Sequence, residues 1–313
     1  MDFTATERQL AAAEAYASTS ELPNLPVPED LGGAGLTVTE LAALLTEAGR
    51  HADASVAPLM TAALPLARWG DRALLAGRPA LAAASSQRGW ARLTGTAIDG
   101  VRPGVACAAQ AGYLLIPADD AVAVVAADAP GVTITPTPTS SLPDDNSKKP
   151  GGEATVRLES APVMEVFTGR AAELDRFATL AACCLIDGGL QAALDLTARY
   201  IATRHQFGRA LAEFQAVTQQ IADIAIGSRT LHVITLSAAW QLETGADGDD
   251  VEVAGYWAAE GARRVVMKCH HLHGGMGMDV SYPMHRFSSL VADQVRALGG
   301  AEYRLERVAC SST

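Results

Sequence analysis

Aromatic side chains are scarce in this chain, 5% of 313 residues. Ala and Gly dominate instead, and no uninterrupted apolar run reaches the ~18 residues needed to cross a bilayer. Positive charge is also short: 24 Lys and Arg stand against 35 Asp and Glu, a net charge of -11 and a pI of about 5.1. A nucleic-acid surface needs clustered Lys and Arg to replace condensed counterions, so that class of partner is excluded, while a local basic site for one small anion stays open. The five cysteines (Cys107, Cys183, Cys184, Cys269 and Cys310) are odd in number, contain no CxxC and sit mostly in apolar helical context. They read as buried thiols of a reducing compartment rather than a disulfide framework. The opening MDFTATERQ lacks the basic flank and apolar core of a secretory leader, so a cytoplasmic location is expected.

The length fits two or three domains sharing one sizeable core. Thr4-x-x-Glu7 and Thr37-x-x-Glu40 both have capping-box spacing, in which hydroxyl and carboxylate satisfy orphan N–H groups at a helix start. Leu41, Leu44 and Leu45 form an apolar stripe behind the second. Between the two boxes, the prolines and glycines of residues 22–36 forbid helix and mark a shaped loop. Residues 1–85 are therefore expected to be a helical domain. From Trp90 the pattern changes: residues 114–116, 121–125 and 132–135 are short β-branched or apolar runs, and Ala154, Val156 and Leu158 alternate with Thr155, Arg157 and Glu159. A small antiparallel sheet domain over 86–167 follows, with residues 136–152 as a mobile loop. Residues 168–313 are expected to be an up-and-down helical bundle, with one apolar face through Leu190, Leu194 and Ile201 and another through Val217, Ile221, Ile224 and Leu231. A third helix spans about 251–273, and a last one follows Pro283. The fold class is thus mainly α with a small β domain, and no internal repeat is present.

One stretch of this bundle concentrates chemistry. In YIATRHQFGRALAEFQ, residues 200–215, the charged Arg204 precedes the aromatic Phe207 and the helix-breaking Gly208, and Phe214 and Gln215 open the next helix. An arginine can hold a diphosphate with two parallel charge-assisted hydrogen bonds, Phe207 can cover a purine, and a helix N-terminus beyond Gly208 can offer free N–H groups to phosphate. The plainer alternative is a helix-turn-helix with a surface arginine. A second stretch, residues 269–287 (CHHLHGGMGMDVSYPMHRF), closes the third helix with Gly274, Gly275 and Gly277. Paired glycines there let a ligand lie against bare backbone. Cys269, His270, His271 and His273 spread over more than one helix face, so a metal is not expected; capped or core histidines are, with a ligand-facing role open for one of them.

Together these residues resemble the acyl-CoA dehydrogenases. LPVPEDLGGAGL (25–36) is similar to that family's N-terminal loop, RHQFGRALAEFQ (204–215) to its flavin-diphosphate motif and HLHGGMGMDVSYPMHRF (271–287) to its second flavin motif. The three stand in the family's order along the whole chain. The resemblance implies FAD at a subunit interface, where one protomer's sheet domain holds the isoalloxazine and the neighbour's bundle supplies groups for diphosphate and adenine. It places Arg204 on the diphosphate and Phe207 on the adenosine, with Gln206, Gly208, Phe214 and Gln215 completing the motif. His271 stands where the family usually has a glutamine and can donate one hydrogen bond as the amide does. Gly274, Gly275 and Gly277 would give backbone contact.

The resemblance also shows what is missing. The sheet stretches AAASSQRG (82–89) and GVRPGVACAA (100–109) offer neither the family's placed hydroxyl nor its aromatic wall. The family removes a proton beside the thioester carbonyl with a glutamate, while hydride leaves for the flavin. The two positions that carry that glutamate align with Ala178 and Gly299. Glu173, Asp293 and Glu302 are the nearest carboxylates, but three residues along a helix is ~4.5 Å, beyond the ~3 Å of a proton transfer, and each reads as a solvated surface acid. The resemblance thus implies a non-catalytic subunit of a heteromeric dehydrogenase, most like the shortened subunits of actinobacterial α2β2 enzymes acting on steroid side-chain CoA thioesters, with acyl-CoA bound mainly by a catalytic partner chain. A self-sufficient homo-oligomer, a scaffold without redox chemistry and a different flavin reaction needing no glutamate remain open alternatives.

Overall fold

The computed structural model describes residues 4–18, 25–70, 72–76, 80–85, 89–137 and 152–311. Of the segment expected to be a mobile loop, residues 138–151 lie outside them, as do 22–24 and 86–88, while Pro136 and Thr137 pair with Ala154 and Glu153 in a strand. Helix α1 (Glu7–Ser18) does not use the Thr4 box. Thr6 and Gln9 exchange the bonds instead: Thr6 N–H donates to Gln9 Oε1 at 2.9 Å and Gln9 N–H to Thr6 Oγ1 at 3.2 Å. The amide of Gln9 is as good a box partner as a carboxylate, which moves the start by two residues. Helix α2 (Val38–Arg50) opens with the box expected of Thr37 and Glu40. A single π-type turn (Leu59–Ala63) leads into α3 (Leu64–Trp69), which Gly70 ends in a left-handed conformation, and α4 (Arg72–Ala76) follows.

The β region is two four-stranded sheets rather than one. In the first, β1 (Leu81–Ala83), β4 (Tyr113–Ala118), β5 (Ala121–Ala126) and β8 (Glu165–Phe167) lie in the order β1-β4-β5-β8. The second has β2 (Trp90–Thr94), β3 (Ala97–Ala106), β7 (Glu153–Pro162) and β6 (Val132–Thr137) in the order β2-β3-β7-β6. All pairings are antiparallel except β1 with β4, which is parallel. Strand β1 also sits N-terminal to residue 86, where the sheet region was expected to begin. Side chains alternate along a strand, so Leu114, Ile116, Ala123 and Val125 pack on Ile98, Val156 and Leu158 of the second sheet. Leu115, Val122 and Val124 face the other way, onto Leu66, Leu75 and Leu174 of the helices. Both faces of the first sheet are covered, which is why β4 and β5 read as continuous apolar runs.

The C-terminal region comprises α5 (Ala171–Thr203), α6 (Gln215–Thr244), α7 (Asp250–His273), α8 (Met284–Ala297) and α9 (Ala301–Ser311). The break before α9, at Gly299 (φ 83°) and Gly300 (φ 88°), is what divides the single last helix expected from the sequence into two. Helix α5 is the axis of the molecule. Leu180, Ile186 and Leu190 are buried with Leu41, Leu44 and Leu45 of α2, Ile224 and Leu231 of α6, Val265 and Val266 of α7 and Val291 of α8. Each such side chain contributes roughly 1.5–3 kcal/mol by leaving water. By length and hydropathy α5 could cross a membrane, but 78% of its most apolar window is buried inside the fold, the situation of a core helix. Its crossing with α2 is backbone to backbone: a Cβ on Gly188 would fall 1.8 Å from Thr46 O, and one on Gly49 2.3 Å from Leu185 O. Four of the five cysteines are buried, Cys310 is exposed, and among the described residues none is in a disulfide.

Buried charge fixes the last helix. Arg304, 1% exposed, donates from Nε to Leu298 O at 2.7 Å and from Nη1 to Glu252 Oε2 at 3.1 Å. Arg307 completes the clamp on Glu252 at 3.0 Å. This ties α9 to the start of α7.

Candidate functional site

Helix α5 ends at Thr203, and Arg204 leaves it with extended backbone (φ -80°, ψ 118°). Four residues later the chain has turned back on itself, because His205–Gln206 and Arg209–Ala210 pair as a miniature antiparallel ladder. Phe207 (φ 52°) and Gly208 (φ 80°) form the two-residue turn, and successive left-handed residues are what the right-handed twist of such a hairpin demands. Gly208 therefore does not cap a helix, as the sequence reading had it; it permits a tight hairpin between two helices. The Leu211 N–H closes the base of the loop on Arg204 O at 2.8 Å. Phe214 precedes α6 and supplies no side-chain cap, so no side chain occupies the first-turn N–H groups that begin at Gln215.

The hairpin presents its groups outward. Phe207 is 93% exposed, an unusual state for an aromatic ring, and Arg204, Gln206 and Gln215 are exposed too. Among the described residues the Arg204 guanidinium forms no ion pair or hydrogen bond, unlike Arg50, Arg170, Arg264, Arg296, Arg304 and Arg307. Phe214 is engaged already: the Arg209 guanidinium lies 4.0 Å from its ring centroid, and Phe207 meets it edge-on at 6.3 Å. These contacts steady the tip from behind and leave the outer face of Phe207 open.

The glycine-rich stretch lies at the same end of the bundle. Helix α7 ends at His273, Gly274 adopts φ 57°, ψ -137°, and a short 3-10 turn (Gly274–Met278) follows. His271, Gly274 and Gly275 are exposed. A Cβ on either Gly274 or Gly275 would meet nothing within 4 Å, whereas one on Gly277 would press on His270 Nδ1 and His273 Cβ at 3.1 Å. Open backbone is thus offered at Gly274 and Gly275. Gly277, expected to contact ligand, is buried, and its lack of a side chain serves packing.

His273 joins the two stretches. Its ring stacks on Tyr200 of α5 at 4.5 Å; Nδ1 is 2.8 Å from Cys269 O and Nε2 3.0 Å from Tyr282 OH. Burial lowers the His273 pKa, as it does that of His270. Both ring nitrogens of His273 are committed, and among the described residues no cluster of His, Cys, Asp or Glu could hold a metal ion. Arg204 and Gly274 each follow closely on a member of this stack, although among the described residues no hydrogen bond joins Arg204 to His271. The only sequence signal for the junction was aromatic residues near the ends of two helices.

The expected acids fare differently. Glu302 is exposed, but Glu173 and Asp293 are not the solvated surface acids anticipated. Glu173 accepts from Trp69 Nε1 at 3.0 Å and from Arg170 Nη1 at 2.7 Å. Asp293 is buried and bound to Arg296 at 2.9 Å, which also holds Glu153 at 3.0 Å. The Arg170 and Arg296 guanidinia stand three residues from these acids, at ordinary helical spacing, whereas the Trp69 indole reaches Glu173 from α3, a tertiary contact that helical spacing does not encode. In the sheet region, Gly100–Ala106 belongs to β3, and Arg102 is buried there. Its guanidinium donates to the carbonyls of Ser85 and Pro117, and burial lowers its pKa.

Comparison with known proteins agrees with this architecture. Residues 169–309 match the family model described as acyl-CoA dehydrogenase, C-terminal domain. Acyl-CoA dehydrogenase FadE28 of Mycobacterium tuberculosis is 39% identical over 344 aligned positions covering 100% of both chains. FadE27 of the same organism is 34% identical, over 90% of this chain and 82% of its own length. Among solved structures, a chain of the ChsE4-ChsE5 complex from Mycobacterium tuberculosis superposes with a TM-score of 0.84 at 30% identity, covering 99% of this chain and 98% of that one. The Tcur3481-Tcur3483 steroid ACAD G363A variant gives a TM-score of 0.83 at 32% identity, with 98% and 90% covered. The family's members are FAD-dependent oxidoreductases. Full-length identity of this order, with motif order and fold in agreement, leaves one assignment: the chain belongs to the acyl-CoA dehydrogenase family.

Proposed function

We propose that this chain is the non-catalytic subunit of a heteromeric FAD-dependent acyl-CoA dehydrogenase, lending Arg204 and its neighbours to FAD held by a catalytic partner. The observation that carries the reading is the uncompensated, outward-facing hairpin. Among the described residues Arg204 has no ion pair, Phe207 is 93% exposed, and a ring and a cation so displayed fit a ligand bound from outside. Bare backbone at Gly274 and Gly275, on the same end of the bundle, fits close approach of a diphosphate.

FAD, when bound, would accept the hydride in α,β-dehydrogenation of a CoA thioester. The bundle's residues bind and orient: Arg204 neutralises the diphosphate, Phe207 packs on the adenosine, and Gln206, Gln215 and His271 add hydrogen bonds. The sheet region of this chain does not fit the isoalloxazine end. Its β3 stretch presents no hydroxyl or aromatic wall, and Arg102 is buried on carbonyls. At the two positions expected to carry the proton-abstracting glutamate stand Ala178 and Gly299. Glu173 and Asp293 are bound to Trp69, Arg170 and Arg296 and Glu302 is exposed on α9, and in this reading the carboxylate that accepts the proton is the partner's. The neighbours named as a ChsE4-ChsE5 complex and a Tcur3481-Tcur3483 steroid ACAD support a two-chain enzyme, for which we propose an α2β2 assembly acting on a steroid side-chain CoA thioester.

Flavin colour tests this. The full chain expressed alone should be colourless, and co-expression with its catalytic partner should give a yellow complex near one FAD per pair of chains. Stoichiometric FAD bleached by acyl-CoA in the lone protein would instead make it a self-sufficient dehydrogenase. Absence of flavin under both conditions would leave a scaffold.

A further inference from the structure

The outer face of the bundle between α6 and α7 sets large apolar side chains in the open. Ile226 is 65% and Trp257 45% exposed, and both border a groove of about 390 Å³ whose walls also include Gly227, Thr230 and Gly261. Gly227 has a reason within the fold, since a Cβ there would fall 2.7 Å from Val265 Cγ2. Gly261 has none: a Cβ there would meet nothing within 4 Å, and a glycine in the middle of a helix weakens it. Beside the groove the Arg229 guanidinium is exposed and forms no ion pair among the described residues.

These features share one geometry. Helices α6 and α7 run antiparallel, and the Lys268–Asp223 pair at 2.6 Å together with the Gly227–Val265 approach sets Thr230 level with Gly261. Ile226 then lies four residues from that level towards the hairpin end and Trp257 four residues from it the other way, about 6 Å each at the helical rise. Arg229 and Glu260 are offset in the same manner, by one residue each. A two-fold axis at the Thr230–Gly261 level would lay α6 of one copy over α7 of another. Ile226 then meets Trp257 of the second copy, Arg229 meets Glu260, and Thr230 meets the bare backbone of Gly261. Every contact occurs twice, as a self-complementary interface requires. Glu260 already accepts from Arg264 one turn on, and a carboxylate has room for a second donor.

We propose that two copies of this chain pair through this groove, related by a two-fold axis at the Thr230–Gly261 level. The three residue pairs share one sequence spacing, which an unrelated partner would not require. Size agrees as well. The 24 residues of α7 run about 36 Å, and two adjacent helices are about 20 Å wide, so the face offers about 700 Å² per copy against the roughly 800 Å² of a standard interface. The groove begins about 12 Å along α6 from Gln215, which leaves the hairpin free. In the two-chain reading this pair is the centre of the α2β2 assembly; that placement rests on the flavin reading, whereas pairing of the chain by itself does not.

Analytical ultracentrifugation of the full-length chain alone should show a concentration-dependent dimer of twice 32.5 kDa. Gly261→Leu, which fills the gap while favouring the helix, should weaken pairing about ten-fold or more. Arg229→Glu and Glu260→Arg should each weaken it about five-fold, and the double variant, with opposite charges again facing each other across the axis, should recover most of that loss. A monomer at all concentrations up to about 100 μM, a dimer indifferent to Gly261→Leu, or a double variant no better than the single ones would overturn the proposal. A monomeric chain whose complex with the catalytic subunit is lost in Gly261→Leu would overturn it too, by giving the groove to that subunit. Arg204→Ala should leave the dimer intact and Gly261→Leu should leave flavin content intact, so the two readings fail separately.

Discussion

Tyr200 and His273 lie face to face, 4.5 Å between ring centroids and 25° between planes, so the ends of α5 and α7 are locked together where the two flavin-motif stretches emerge. The lock uses both ring nitrogens, which makes His273 hard to replace. His273→Ala would leave a cavity beside Tyr200 and strip Tyr282 OH and Cys269 O of a partner, a loss of about 2–4 kcal/mol. Urea unfolding should show the midpoint falling by that free energy divided by the m-value, and an unchanged midpoint would mean the stack is incidental.

The same histidine predicts a pH dependence. Burial holds the pKa of His273, and of His270, below the ordinary 6.5 in the folded chain. The unfolded chain therefore binds more protons as pH drops through 6.5, and the folded state loses stability on the acid side. Stability that is full above that value should decline towards pH 5, with a shallower decline in His273→Gln. A flat profile from pH 7.5 to 5 would contradict the assignment.

Arg204 is expected to matter for ligand and not for folding. Arg204→Ala should leave thermal stability unchanged, since no partner is lost, and should weaken flavin retention by the two-chain complex about 10- to 100-fold, the usual worth of charge-assisted hydrogen bonds. Arg204→Lys should recover part of this, because an ammonium keeps the charge but not the bidentate fork. Flavin content measured after dialysis decides it.

Buried charge and bare backbone give two stability contrasts. Arg304→Ala leaves Glu252 buried with Arg307 alone and should cost about 3–5 kcal/mol, read as a large drop in Tm. Gly188→Ala drives a methyl to 1.8 Å from Thr46 O and should prevent normal packing of α2 on α5. Gly261→Ala on α7 meets nothing within 4 Å and should be neutral or stabilising by up to ~1 kcal/mol. Equal effects of the two glycine variants would refute the close-crossing account.

How much of this was legible beforehand follows from the range of the forces. The Thr37 box, the α5 to α7 apolar faces and the strands at 114–116 and 121–125 are local or periodic, and their signals are in the sequence. Strand β3 carries no strand pattern of its own, because Gly100, Pro103 and Gly104 interrupt it, and only the resemblance sets residues 100–109 in the sheet; its bulges against β7 between Ile98 and Gly100 and between Arg102 and Val105 accommodate those residues. At Phe207–Gly208 a glycine after an aromatic signals either a helix stop or a tight turn, and only the pairing of His205–Gln206 with Arg209–Ala210 decides. The roles of Glu173 and Arg304 depend on side chains 104 and 52 residues distant, and the second bond of Arg296, to Glu153, spans 143 residues, which no local pattern carries.

The two left-handed residues at the hairpin tip have a kinetic consequence. Because Phe207 is held erect by backbone geometry and by Phe214 behind it, little freedom remains to be lost when a neighbouring molecule arrives. Encounter then resembles a rigid peg entering a socket, and lengthening the peg by even one residue would trade that readiness for a search.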